Sequence, residues 1–273
     1  MMKNKNISIE QLTSFEISQF LSDKTKKNGL ILPIGCTEQH GRYLPTGCDT
    51  IIAKKSAENL AENLQKNNNY KALVMPEIAY TPSPGSEYTS GTLSVSFELL
   101  GNLLKEVIKA AIAGGDWDFL VILNSHAHNH GRVIETSIAG ISGELGRKIP
   151  IVVINIYDFI NITSSEIKNP GSHAGEFEIA LYHYYYPKYE FPDIMVNKSK
   201  ILERPKNIFG LDVMKRSYDG IISNELPDIK LTIKKANKIG EKIDIEVQKT
   251  LQDNLDKYFE QWVDFDLLKT SKY

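Results

Sequence analysis

Apolar residues in this chain fall into short unbroken runs, separated by longer stretches where they recur every three to four positions. Residues 29–34, 72–75, 119–123 and 151–157 form the runs. They are short, rich in branched side chains and bounded by polar residues, so they predict buried strands. Between them the period is helical. An amphipathic helix is expected over 10–21. A second follows Asp49, with Ile52, Leu60 and Leu64 on one side. Ser94 is a good N-cap for a helix reaching about residue 113. Further helices are expected over 132–145 and 173–186, the latter turning Phe177, Leu181 and Tyr184 inward. A long C-terminal helix over 237–262 has the Lys and Glu spacing of a solvated face. Alternation of strand and helix requires crossover connections and a mostly parallel sheet, an α/β architecture. Segment 202–228 lacks either period and suits a cap over a site or a contact between subunits.

No internal repeat, low-complexity stretch or linker divides the chain, so residues 1–273 are expected to form a single domain. That length is ample for a buried core. A net charge of −2 gives no reason to expect nucleic acid or an anionic membrane as partner. The N-terminal MMKNKNISIE lacks the apolar stretch of a signal peptide, and no run approaches a membrane span of ~20 residues. A cytoplasmic protein is therefore expected, with its two cysteines, Cys36 and Cys48, reduced. No glycine-rich phosphate loop is present, which argues against a nucleotide binder.

Chemistry-bearing residues gather at three places. Glu38, His40 and Asp49 lie within twelve residues at the end of the first apolar run. Glu38 and His40 are two apart, so an extended backbone points both to one face. Carboxylate and imidazole together suit a borderline divalent ion such as zinc, manganese or iron. A carboxylate has two oxygens, so Asp49 can bridge two ions. The second cluster, Asn124-Ser125-His126-Ala127-His128-Asn129-His130, directly follows the third run, where ligands sit in open α/β sheets. The third, His173-Ala174-Gly175-Glu176-Phe177-Glu178, opens a helix after a turn at 169–172. His183 carries no such context and is an ordinary structural histidine.

The order and spacing of LPIGCTEQHGRYLPTGCDT, NSHAHNHG and HAGEFE resemble the creatininase family, over about residues 32–178. The resemblance implies a flavodoxin-like three-layer α/β/α fold, two divalent metal ions and hydrolysis of a carbon–nitrogen amide bond in a small, often cyclic, substrate. It implies metal ligation by Glu38, His40, Asp49 (bridging), His126 and Glu176, a proton-shuttling role for His173, and a homo-oligomer, hexameric in the family. Glu178, two residues past Glu176, is expected to be structural.

Two departures bear on substrate. Creatininases carry a glutamate ligand where this chain has His128, which becomes a possible metal or substrate contact. They carry a stacking tryptophan where this chain has Asn169. In the loop YTPSPGSEYTSGT, Tyr88 replaces a family histidine. Arg42, between the first ligands, is a candidate partner for a substrate anion. Together these features point to a formamide or cyclic amide other than creatinine. The alternative is a metal-bearing binding or assembly protein that has lost catalysis.

Overall fold

The computed structural model describes residues 6–66, 69–126, 134–135, 137–138, 149–167, 169–194, 196, 217–223 and 225–261. Four parallel strands, β1 (Lys27–Ile34), β2 (Tyr70–Val74), β3 (Phe119–Asn124) and β4 (Ile151–Asn155), form one sheet in the order β2-β1-β3-β4. The helices with bounds among the described residues are α1 (Ser14–Ser22), α2 (Cys48–Lys66), α3 (Phe97–Ala113), α4 (Glu176–Tyr185) and α5 (Ile229–Gln261).

Strand alternation divides the core in two. Ile31, Val121, Leu123, Ala72, Val74 and Ile154 face α2, α4 and α5. Leu30, Leu32, Ile34, Leu73, Leu120 and Ile122 face α1 and α3. Each Val, Leu or Ile among them contributes about 1.5–3 kcal/mol on burial, so a sheet covered on both faces is the stable arrangement. The three-layer α/β/α architecture expected from the sequence is therefore present.

The strand order decides where a site can form. From β1 the chain crosses to β2 on one side, then returns to β3 on the other. The connections leave β1 and β3 in opposite directions, opening a crevice beyond their carboxyl ends. Glu38 and His40 follow β1, and His126 follows β3. Gly35 brings α2 close enough to close the crevice: a Cβ there would lie 2.3 Å from the Thr50 backbone. Asp49, in the first turn of α2, is thereby set beside the β1 extension.

Several boundaries shift for local reasons. β4 stops at Asn155 and a 3-10 stretch (Ile156–Thr163) follows, so Tyr157 is not in the strand. Ser96, not Ser94, caps α3 through the Leu99 amide, at 3.1 Å, while Ser94 accepts the Ser83 amide. Helix α4 starts at Glu176; His173 instead bridges antiparallel to Ile222. Most of 132–145 and 202–228 lies outside the described residues, but 134–135 and 137–138 are helical.

Helix α5 is anchored through Glu166, a buried carboxylate that receives Lys242 and, at 3.3 Å, Lys238. Lys242 and then Ser165 hold its carboxyl down to about 2, against the opposing effect of burial. A carboxylate depressed in the folded state stabilises above its ordinary value and loses that contribution as pH falls through the folded value. Glu166→Gln is therefore expected to lower the urea midpoint at pH 7, with the gap to the natural protein closing toward pH 2. A pH-independent gap contradicts this.

Candidate metal centre

Among the described residues, seven side chains converge in the crevice. Glu38, Asp49 and His126, with Cys36, form one group whose donor atoms lie within 4.8 Å of one another; His40, Asp49 and Glu178 form a second; Glu38, His40 and His173 form a third. Asp49 belongs to the first two. The six carboxylate and imidazole side chains lie within short mutual distances: His126 Nε2 to Glu38 Oε1 is 3.1 Å, His40 Nε2 to Asp49 Oδ1 is 3.3 Å, and His40 Nε2 to Glu178 Oε1 is 3.7 Å.

The surrounding hydrogen bonds set the histidine tautomers. His40 Nδ1–H donates to the Glu38 carbonyl at 3.0 Å. Thr81 gives its own proton to the Gly35 carbonyl at 2.8 Å, so its oxygen accepts from His126 Nδ1–H at 3.2 Å. Both rings therefore turn a bare Nε2 lone pair toward carboxylates. Lone pair against carboxylate is repulsive unless a cation lies between, and fixing Nδ1 this way is how proteins orient metal-binding imidazoles. Asp49 Oδ2 is buried without a hydrogen-bond partner. These residues fit a pair of divalent ions sharing Asp49.

The electrostatics carry the same sign. Burial pushes Glu38 up, but His126, His173 and His40 outweigh it and hold the carboxyl well below the usual range. Burial favours neutral rings at His40 and His126, yet Asp49 beside the first and Glu38 beside the second raise both well above an ordinary histidine. Both carboxylates thus favour positive charge beside these rings. Burial raises the Glu178 carboxyl; His40 opposes this, and Asp49 and Glu38 add to the rise. His173 differs: burial lowers it, with Glu38 opposing.

The supporting contacts come from every layer. Ser83 donates to Glu38, and Tyr157, just past β4, donates to Glu178. Ser125 donates to the Asp49 carbonyl at 2.5 Å, tying β3 to α2. Ala174 holds a left-handed φ of 51°, unusual for a residue with a Cβ and costing about 1–2 kcal/mol, and its amide donates to Glu178. The 217–223 segment closes over the crevice: Gly220, at φ +93°, accepts from Gln39 Nε2 at 3.3 Å, and a Cβ there would strike that side chain.

Glu176, expected as a ligand, stands in none of the candidate ligand groups among the described residues. Glu176, at the first position of α4, accepts the Asp228 amide at 3.1 Å and anchors the start of α5. Glu178 enters the cluster instead. Positions two apart on a helix point in nearly opposite directions, so only one can face the crevice. The expectation that the two diverge holds, and it is Glu178 rather than Glu176 that lies in the cluster. Arg42 pairs with Asp219 at 3.1 Å and is half exposed. Tyr88 is 91% exposed, outside the cluster. Asn169 donates to Glu225 at 3.0 Å on the surface. His128 lies outside the described residues. Tyr157, Ser83 and Gln39 carried no sequence signal, because each acts only through another residue.

Residues 10–227 match the family model described as Creatininase: Creatinine amidohydrolase. The chain belongs to the creatininase family. It is 24% identical over 216 residues to the creatinine amidohydrolase of Pseudomonas putida, covering 71% of this chain and 78% of that protein. It is 35% identical over 101 residues to the mycofactocin precursor peptide peptidase of Mycolicibacterium smegmatis (strain ATCC 700084 / mc(2)155), covering 37% of this chain and 40% of that one. A crystal structure of creatininase superposes with a TM-score of 0.77 at 21% identity, covering 92% of this chain and 98% of the other. A Zn-Zn form and an Mn form of creatininase, each 22% identical, give 0.75 and 0.69 and cover 92% and 90% of this chain and 99% of theirs. These likenesses establish the fold. Among the described residues no helix is long and apolar enough to cross a membrane.

Proposed function

We propose that this chain is a divalent-metal-dependent amidohydrolase that cleaves the carbon–nitrogen bond of a small cyclic amide or a formamide. The observation that carries this reading is Asp49, a buried carboxylate common to two ligand groups and retaining an unpartnered oxygen. Glu38, Asp49 and His126 would hold one ion, and His40, Asp49 and Glu178 the other. Such a pair supplies activation of water near neutral pH and polarisation of the amide carbonyl.

The chain's own residues supply the rest. The ligands are buried and the His173 side chain is 11% exposed, which strengthens every charge interaction among them. His173 Nε2–H donates to the Gln39 carbonyl at 2.6 Å, leaving Nδ1 3.3 Å from Glu38 Oε1. Burial keeps the ring neutral at rest. A proton taken up at Nδ1 meets Glu38, which steadies the charged ring until the proton passes to the leaving nitrogen. Proton transfer of this kind contributes ~10²–10⁴-fold.

Creatinine is expected to be a poor substrate. Asn169 is committed to Glu225 at the surface, and no aromatic ring stands four residues before His173. The same features, with Tyr88 turned to solvent, favour the second reading, a metal-bearing binding or assembly protein. Cytoplasmic location and a homo-oligomer, hexameric by the resemblance, belong with the first. The test is metal analysis of protein purified without chelator, followed by turnover of lactams, formamides, short peptides and creatinine. Amine release that chelator abolishes and zinc or manganese restores supports the hydrolase. Efficient turnover of peptides alone moves the substrate class toward that of the peptidase relatives. Bound metal without turnover of anything in the panel favours the second reading.

A further inference from the structure

Cys36 is fully buried beyond the end of β1 and is left unused by the chemistry above. Its sulfur is within 4.8 Å of donor atoms on Glu38, Asp49 and His126. Its sulfur stands 3.8 Å from the Thr81 carbonyl. Independently, the buried Asp49 Oδ2 in the same group lacks any hydrogen-bond partner. A tetrahedral site needs four donors, and this group contains four residues of ligating type: two carboxylates, an imidazole and a thiol.

We propose that Cys36 is the fourth protein ligand of the ion held by Glu38, Asp49 and His126, binding through its sulfur and making that position prefer zinc-class ions over manganese. This rests on the two-ion reading. Coordination expels the thiol proton, so Cys36 adds one negative charge to the site. That offsets the anionic ligand the family resemblance places at the position of His128. A thiolate is soft and favours zinc or cobalt, whereas an all-oxygen and imidazole set accepts manganese readily. Cys48 is also buried but stands in none of the ligand groups among the described residues, so it provides a matched control.

The test uses full-length protein stripped of metal and titrated with cobalt(II). The natural protein and Cys48→Ser are expected to develop a near-ultraviolet sulfur-to-cobalt charge-transfer band, while Cys36→Ser binds cobalt without it. The zinc-to-manganese affinity ratio, measured by competition, is expected to fall roughly tenfold or more in Cys36→Ser. Zinc-edge X-ray absorption of the natural protein needs no variant, and is expected to show a sulfur at about 2.3 Å. Cobalt bound without the band in the natural protein, or a zinc shell of nitrogen and oxygen only, overturns the proposal and leaves the two-ion reading standing. A band that survives Cys36→Ser and vanishes in Cys48→Ser also overturns it. No cobalt bound at all overturns both.

Discussion

Asp49→Ala is expected to empty both metal positions at once and to lower kcat/KM by roughly a thousandfold, about 4 kcal/mol of transition-state stabilisation. In the two-ion reading Asp49 serves both ions, through the group with Glu38 and His126 and the group with His40 and Glu178, while Glu38 and His40 are each shared only with the group that contains His173. Its position is set by three independent features. It lies in the first turn of α2, Gly35 lets that turn approach the β1 extension, and Ser125 holds its backbone carbonyl from β3. Removing the carboxylate therefore leaves the fold's contacts in place and takes away only the bridge. The check is metal content by mass spectrometry alongside steady-state kinetics on whichever amide the panel identifies. A variant that retains two ions per chain would show that Asp49 is not the shared ligand.

Glu178→Gln and Glu176→Gln are expected to separate cleanly, the first losing activity by about a hundredfold or more and the second by little. Glu178 faces His40 and Asp49 and is aimed by Tyr157 and the Ala174 amide. An amide in its place keeps the shape but donates where Tyr157 and Ala174 also donate, and it carries no charge for an ion. Glu176 is occupied elsewhere, accepting the amide of Asp228. Its loss should appear as a lower melting temperature through the loosened start of α5. Measured together, metal content and thermal melting of the two variants decide the matter. Equal metal loss in both, or loss only in Glu176→Gln, would restore the ligand set first expected from the sequence.

The particular residues show what the chain discloses before folding. Alternating apolar runs and helical periods announce a parallel α/β sheet, because a strand buried on both faces cannot hide its composition. Glu38, His40 and His126 stand out as candidates because they follow strand ends, where ligands meet in such sheets, and Asp49 because it opens the helix that follows β1. The choice between Glu176 and Glu178 was not legible. Both are glutamates in one helical turn, and which of them turns inward depends on where α4 begins. That boundary is fixed by tertiary contacts, the Pro170 carbonyl receiving Phe177's amide and Ile222 pairing with His173, rather than by the local sequence. Tyr157 was hidden for a similar reason. It lies in an apolar run that reads as strand to its end, yet the strand stops at Asn155 and the following turn aims its hydroxyl at Glu178.

The central claim is that two ions share Asp49 in the crevice between β1 and β3. Anomalous diffraction from crystals grown with zinc or manganese tests it most directly. Two anomalous peaks are expected about 3.5–4 Å apart, one beside Glu38 and His126 and one beside His40 and Glu178, with Asp49 touching both. A single peak, or peaks not in contact with Asp49, would contradict it.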